Sequence, residues 1–65
     1  MKYNELLRIL YEDGWVMIRQ SGGHIIMSHP IKKGKIIIPF HGSKEVKKGL
    51  LKSIFKQTNI KLNQK

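Results

Sequence analysis

A histidine beside a pair of glycines is the feature of this sequence best suited to chemistry. Gly22 and Gly23 precede His24, and the β-branched and long apolar residues that follow favour a short strand. Glycine can adopt positive φ and lets a bulky ligand approach the backbone, so the segment predicts an imidazole at the edge of a rigid strand. An imidazole can accept a proton at physiological pH, as general-base catalysis requires.

The remaining residues exclude the common alternatives to histidine catalysis. The chain has no cysteine, which excludes disulfides, thiolate metal sites and thiol redox chemistry. Asp13 is the only aspartate and no serine lies on a nucleophile-elbow signature, which excludes a Ser-His-Asp triad. The four acids, Glu5, Glu12, Asp13 and Glu45, offer no carboxylate pair. What remains is histidine acid–base chemistry on a substrate that brings its own nucleophile, as RNA does with its 2′-hydroxyl. A polar residue at the strand edge is the alternative interpretation of His24.

The three histidines do not predict a metal site. His24 and His29 are an odd number of residues apart, so in a regular strand their side chains face opposite sides of the sheet. A zinc site would then need His24, His41 and a distant third ligand. We therefore expect no metal and no cofactor. We interpret His29, which precedes Pro30 at a strand end, as a turn residue rather than a catalyst.

The chain is strongly basic. Thirteen lysines and arginines oppose four acidic residues, and the formal net charge of +9 implies a polyanionic partner such as nucleic acid, an acidic protein or anionic lipid. One row of lysines has the four-residue spacing of a helix face, and a second cluster lies on a predicted turn. We expect phosphates to neutralise both, with an ordinary solvated lysine face as the alternative for the row. The row is Lys44, Lys48, Lys52 and Lys56, joined by Lys47, and the cluster is Lys32, Lys33 and Lys35.

Hydrophobic periodicity predicts an α+β fold with the element order α-β-β-β-α. Short connections predict a three-stranded antiparallel sheet with two helices on one face, which leaves the other face for solvent or a partner. We interpret Trp15 and Phe40 as core residues rather than as platforms for RNA bases. Gly49 predicts close packing against the sheet, with approach of a ligand as the alternative. The predicted helices cover residues 3–12 and 44–57, with Ser43 as N-cap and Glu45 in the first turn of the second, and the predicted strands cover 15–20, 24–28 and 35–40.

Length and hydropathy predict a single domain over residues 1–65, with a polar, frayed tail at 59–65. The longest apolar run, residues 36–40, is far shorter than the ~20 residues that span a bilayer, and the N-terminus has no signal-peptide pattern. We therefore expect no membrane contact and a cytoplasmic location.

The order of several short motifs resembles the HicA (YcfA-like) toxins of bacterial and archaeal toxin–antitoxin pairs. The resemblance covers roughly residues 3–60, nearly the whole chain. The matching motifs are Asp13-Gly14 after the first helix, Gly22 to His24, His29-Pro30, the junction from Ile38 to Ser43, and Lys47-Lys48-Gly49-x-Leu51 leading to Ile54.

This resemblance implies a double-stranded-RNA-binding-domain-like fold, ribosome-independent cleavage of mRNA and neutralisation by a HicB-type antitoxin. The family's catalytic histidine falls on His24, in a motif that is usually Gly-Ser-His and here has Gly23 in place of the serine. We expect a metal-independent endoribonuclease with His24 as general base and His41 or a lysine as general acid. A non-catalytic RNA-binding module with the same fold is the alternative, and a basic face that chiefly docks the antitoxin is a third reading. The expected RNA contacts are Gly22, Gly23, Lys32, Lys33, Lys35, Lys44, Lys48 and Lys52.

Overall fold

The chain folds in the order α-β-β-β-α, which confirms the predicted fold class. A computed structural model describes residues 1–40 and 45–61. A double-stranded-RNA-binding-domain-like architecture is compatible with this order. The elements are α1 (Tyr3–Asp13), β1 (Val16–Ser21), β2 (His24–Ser28), β3 (Lys35–Pro39) and α2 (Lys48–Thr58).

Helix α1 forms because apolar residues recur on one of its faces. Tyr3, Leu6 and Leu10 fall at helical spacing and are all buried. The helix ends at Gly14, whose φ of 109° gives the left-handed conformation typical of a C-terminal cap. The amides of Gly14 and Trp15 donate back to carbonyls of the last turn, at 3.0 and 2.9 Å. This cap directs the chain into β1.

The sheet has the order β1-β2-β3, and both pairs of strands are antiparallel. On one face, Ile25 and Met27 of β2 lie opposite Ile38 and Ile36 of β3, and all four side chains are almost fully buried. Both helices pack against this face, because these residues and the buried residues of the helices form one core cluster. The strand alternation therefore buries one side of β2 and β3 and leaves their other side without a helix.

The opposite side of the sheet, which we call the open face, carries three rows of side chains. Partners across antiparallel strands point to the same side, so the residues paired with one side of β2 share its orientation. This surface is partly apolar, since Val16 and Ile37 are 50% and 57% exposed. The rows are Ser21, His24 and Pro39; Arg19, Ile26 and Ile37; and Val16, Ser28 and Lys35.

Helix α2 begins at Lys48, four residues later than predicted, and its N-cap is Lys47. The segment before it is extended because it pairs with the N-terminus of the chain. The amide of Val46 donates to the carbonyl of Met1 at 2.8 Å, and Glu45 forms a β-bridge with residue 2. The placement of Glu45 in the first turn of the helix is therefore wrong. The predicted N-cap at position 43 and the lysine at position 44 lie outside the described residues.

The structure also bears on the two aromatic residues, on Gly49 and on the C-terminal tail. Trp15 is 1% exposed, and Phe40 is partly buried against the core, which confirms both as core residues. The packing interpretation of Gly49 is wrong, because this exposed residue lies in the first turn of α2 and a Cβ there would meet nothing within 4 Å. Of the tail predicted to be frayed from position 59, Ile60 packs against the core, and residues 62–65 lie outside the described residues.

Both helices are short. Each contains 11 residues and has a polar outer face. Over residues 1–40 and 45–61, no helix has the length and apolar character needed to cross a membrane.

Candidate functional site

His24 is the first residue of β2 and lies at one end of the open face. It follows the turn at Gly22 and Gly23, where Gly22 has a φ of 57° that glycine adopts without strain. The Cα of His24 pairs with that of Ser21 on one side and that of Pro39 on the other. The side chain is exposed. The imidazole is thus accessible from solvent although its backbone is held on both sides.

The end of β3 beside His24 is anchored to helix α1. The hydroxyl of Tyr3 donates to the carbonyl of Pro39 at 2.8 Å, and the rings of Tyr3 and Phe40 meet edge to face with centroids 5.0 Å apart. The amide of Phe40 in turn donates to the carbonyl of Gly23. These contacts hold the backbone next to His24 in place. A general base must be held in a fixed position relative to its substrate, and a rigid backbone contributes to this.

Two cations share the open face with His24. Arg19 lies opposite Ile26, one row from the histidine, and Lys35 lies opposite Ser28. Ser28 is four residues along β2 from His24, a separation of roughly 13 Å. Arg19 is therefore the nearer of the two, although it is not among the RNA contacts predicted from the sequence.

The remaining lysines predicted to bind RNA lie elsewhere. Lys48 and Lys52 are exposed on α2, in the layer on the other side of the sheet from the open face, and Lys56 continues their row. Lys33 is exposed in the connection between β2 and β3. Within the described ranges these four side chains have no ion pair, so their charges are available to a polyanion. Lys44 and the predicted acid His41 lie outside the described residues.

Lys32 has protein partners instead of a free ammonium group. Its Nζ donates to Oδ2 of Asp13 at 2.5 Å and to the carbonyl of Thr58 at 2.7 Å. It therefore joins the C-terminal ends of α1 and α2, where the helix dipoles favour a cation. This placement gives Lys32 a structural role, and its ammonium group is already bonded rather than available to RNA.

His29 is buried and belongs to the same junction. Its side chain is 7% exposed, and its ring packs edge-on against Trp15 with centroids 5.2 Å apart. Nε2 bonds to the carbonyl of Asp13 at 2.7 Å, while Nδ1 accepts the amides of Ile31 and Lys32, both at 3.0 Å. These partners require a neutral ring that carries its proton on Nε2. The ring thus ties the loop after β2 to the end of α1, which is a larger role than that of a turn residue.

Asp13 and Lys32 give the junction a pH dependence. The hydrogen bond from Lys32 and its positive charge lower the pKa of Asp13 from the ordinary value of 3.8, although desolvation acts in the opposite direction. This pKa is lower in the folded than in the unfolded chain, so the pair stabilises the fold fully at pH values above 3.8. The contribution is lost as the pH falls through the pKa that Asp13 has in the folded chain.

We expect Lys32→Met to reduce the free energy of unfolding by about 1 kcal/mol at neutral pH, because the variant loses the hydrogen bonds of the ammonium group to Asp13 and to the carbonyl of Thr58. Below about pH 4 the wild type should lose stability more steeply than the variant, so the two curves should converge. Urea unfolding at a series of pH values measures both. Parallel curves would show that the pair does not cause the loss of stability at acidic pH.

Metal-binding residues do not cluster in the described structure. His24 and His29 lie on opposite sides of the sheet layer, one exposed and one buried. Across the two described ranges, no group of three or more His, Cys, Asp or Glu side chains could hold a metal ion.

Two residues that matter here were missed in the sequence. Asp13 was interpreted only as the end of α1, but an acid in the last turn of a helix opposes the helix dipole and so signals a partner elsewhere in the chain. Arg19 is the only cation of β1, and alternation counted back from Ser21 beside the glycine turn is the signal that could have placed it on the face of His24.

Comparison with known proteins identifies the family. A family model described as "HicA toxin of bacterial toxin-antitoxin" matches residues 3–60. A protein of Pseudomonas fluorescens (strain Pf0-1) named "Probable mRNA interferase HicA" is 38% identical over 61 residues, which cover 94% of this chain and 98% of that protein. The match spans α1, the whole sheet and α2, and therefore includes the turn and strand that carry His24. The chain belongs to the HicA toxin family.

Proposed function

We propose that this protein is an endoribonuclease toxin that cleaves mRNA, with His24 as the general base and without a metal ion. The observation that carries the proposal is the placement of His24, exposed on the open face beside a cation, in a chain of net charge +9. His29, in contrast, uses both ring nitrogens to hold the fold. The name of the Pseudomonas relative, an mRNA interferase, supports the same activity.

The reaction follows from what RNA supplies. His24 takes the proton of the 2′-hydroxyl, and the 2′-oxygen forms a bond to phosphorus as the bond from phosphorus to the 5′-oxygen breaks. The leaving 5′-oxygen receives a proton from a general acid, for which His41 or a lysine remains the prediction. The products are one RNA that ends in a 2′,3′-cyclic phosphate and one that begins with a 5′-hydroxyl. No metal is needed to generate the nucleophile, because the substrate carries it.

Cations bind the RNA backbone around this reaction. Lys35 shares the open face with His24, while Lys33, Lys48 and Lys52 extend the positive surface to the loop and to α2, and Lys44 remains a prediction. Gly22 and Gly23 let a phosphate approach the backbone beside His24. Gly23 has no side chain to contribute a hydroxyl, so its backbone amide is the donor available at this position.

A HicB-type antitoxin is the proposed protein partner. The family is one of toxins in toxin–antitoxin pairs, and a chain of net charge +9 favours an acidic surface on its inhibitor. An inhibitor that covers the open face would block both His24 and the cations beside it.

The nature of the nucleophile can be tested in the substrate rather than in the protein. A defined RNA with a single 2′-deoxy nucleotide at the scissile position should resist cleavage in buffer containing EDTA, while the all-ribose RNA is cut to a cyclic phosphate end. Cleavage is followed by gel electrophoresis and the ends by mass spectrometry.

The matched control is the same RNA with the 2′-deoxy nucleotide one position away, which should be cut at the normal rate. Normal cleavage of the RNA that is deoxy at the scissile position would exclude the hydroxyl mechanism. Binding of both RNAs without any cleavage by the wild type would favour the non-catalytic RNA-binding module.

A further inference from the structure

The pairing of β1 with β2 beside the glycine turn determines which face of the sheet Arg19 occupies. The register is regular from Ser21, which lies opposite His24, to Arg19, which lies opposite Ile26. Side chains two residues apart on a strand share a face, so Arg19 and Ser21 both lie on the face of His24. The register shifts only between Arg19 and Met17, on the far side of Arg19 from the turn, and leaves this arrangement unchanged.

On this face Arg19 is a diagonal neighbour of His24. His24 pairs with Ser21, and Arg19 lies two residues before Ser21 on the same side of β1. Diagonal neighbours on one face are separated by roughly 7–8 Å, a distance that long side chains bridge. A group held between the two side chains can thus contact both.

The guanidinium of Arg19 has no competing partner in the described parts of the chain. The residue is exposed, and it has neither an ion pair nor a side-chain hydrogen bond among residues 1–40 and 45–61. The nearest carboxylates in sequence, Glu12 and Asp13, belong to α1, and Asp13 is bonded to Lys32. An arginine that is free of carboxylates is available to an anionic ligand.

The chemistry of arginine fits the ligand that His24 would act on. Its planar guanidinium donates two parallel hydrogen bonds to a phosphate, and it stays charged at any physiological pH. Its row also contains Ile26 and the half-exposed Ile37, and apolar neighbours strengthen the attraction between opposite charges. During attack by a 2′-oxygen, negative charge develops on the phosphate oxygens, where such a cation acts most strongly.

We propose that Arg19 binds the scissile phosphate of RNA beside His24 and stabilises the charge that develops on it. This inference rests on the proposed ribonuclease activity. It makes the open face, rather than the lysine row of α2, the surface on which the reacting nucleotides lie.

Single-turnover cleavage of a defined RNA tests the proposal. Arg19→Ala should lower the rate about 100-fold, as the loss of one donor to a developing oxyanion does in other enzymes. Arg19→Lys should recover part of the rate, because it keeps the charge and loses the two-pronged geometry. Arg19→Gln, which keeps a long polar side chain, serves if the alanine variant fails to fold.

The matched control is Arg8→Ala, which removes the same charge from the exposed side of α1. Its rate should stay within about threefold of wild type, and it should bind the uncleavable 2′-deoxy RNA more tightly than Arg19→Ala does, since only Arg19 contacts a phosphate in this proposal. Equal cleavage rates for Arg19→Ala and Arg8→Ala, with an active wild type, would overturn the role of Arg19 and leave the proposed ribonuclease function intact. A wild type that does not cleave RNA would overturn the proposed function as well.

Discussion

His24→Ala is expected to abolish RNA cleavage, with a loss of about 100- to 10,000-fold, while leaving the fold and the affinity for RNA nearly intact. A positioned general base contributes 10²–10⁴-fold to such a reaction, and no other described histidine can replace it. The side chain is exposed at a strand end, so its removal creates no cavity. The measurement is cleavage of a defined RNA in EDTA, with binding to the 2′-deoxy RNA measured in parallel.

Two results would contradict the role of His24. Undiminished cleavage by the variant would exclude it as the base, and loss of the fold would assign it a structural role. His24→Gln, which keeps a polar side chain of similar length, is the matched variant and should be equally inactive because an amide does not accept the proton at neutral pH.

His29→Ala should have the opposite effect, a large loss of stability with the chemistry unchanged. The substitution leaves the Asp13 carbonyl and the amides of Ile31 and Lys32 without their partner and opens a space beside Trp15. We expect the free energy of unfolding to fall by about 3 kcal/mol. The free energy of unfolding of a 65-residue domain is roughly 3–10 kcal/mol, so this loss is a large fraction of the stability.

Thermal and urea unfolding measure the effect, and the melting temperature should fall by about 15 °C. His29→Phe separates the two causes, because it keeps a ring against Trp15 and removes the hydrogen bonds. His24→Ala is the control histidine variant and should change the stability by less than about 1 kcal/mol. A destabilisation of His29→Ala no larger than that of the control would show that the buried ring does not hold the junction of α1 and the loop after β2.

Much of the fold could be predicted because it is encoded in short-range patterns. The stripe of Tyr3, Leu6 and Leu10 specified α1, and the alternation of β2 specified a sheet with one buried side. The glycine turn before His24 and the position of that histidine at the start of a strand are local as well. Such features depend on neighbours in the sequence, so propensity and periodicity were sufficient.

The start of α2 could not be predicted in the same way. Residues 44–47 have the composition of a helix start, with Glu45 where an acid complements the dipole. The chain instead uses the amide of Val46 and the backbone of Glu45 to pair with the N-terminus, more than 40 residues away. A local preference lost to a hydrogen-bonding partner that only the folded chain supplies.

The sequence by itself determined which chemical groups this protein has available: a histidine beside glycines and an excess of positive charge suited to RNA. Only the tertiary structure decided which groups can work together. It committed His29 and Lys32 to the junction at the end of α1, and it placed Arg19 beside His24 through the pairing of β1 with β2. The physical reason is that these partners come from different elements, so only the folded chain brings them into contact: Lys32 bonds to both helix ends, and the strand register decides which residues of β1 and β2 are neighbours.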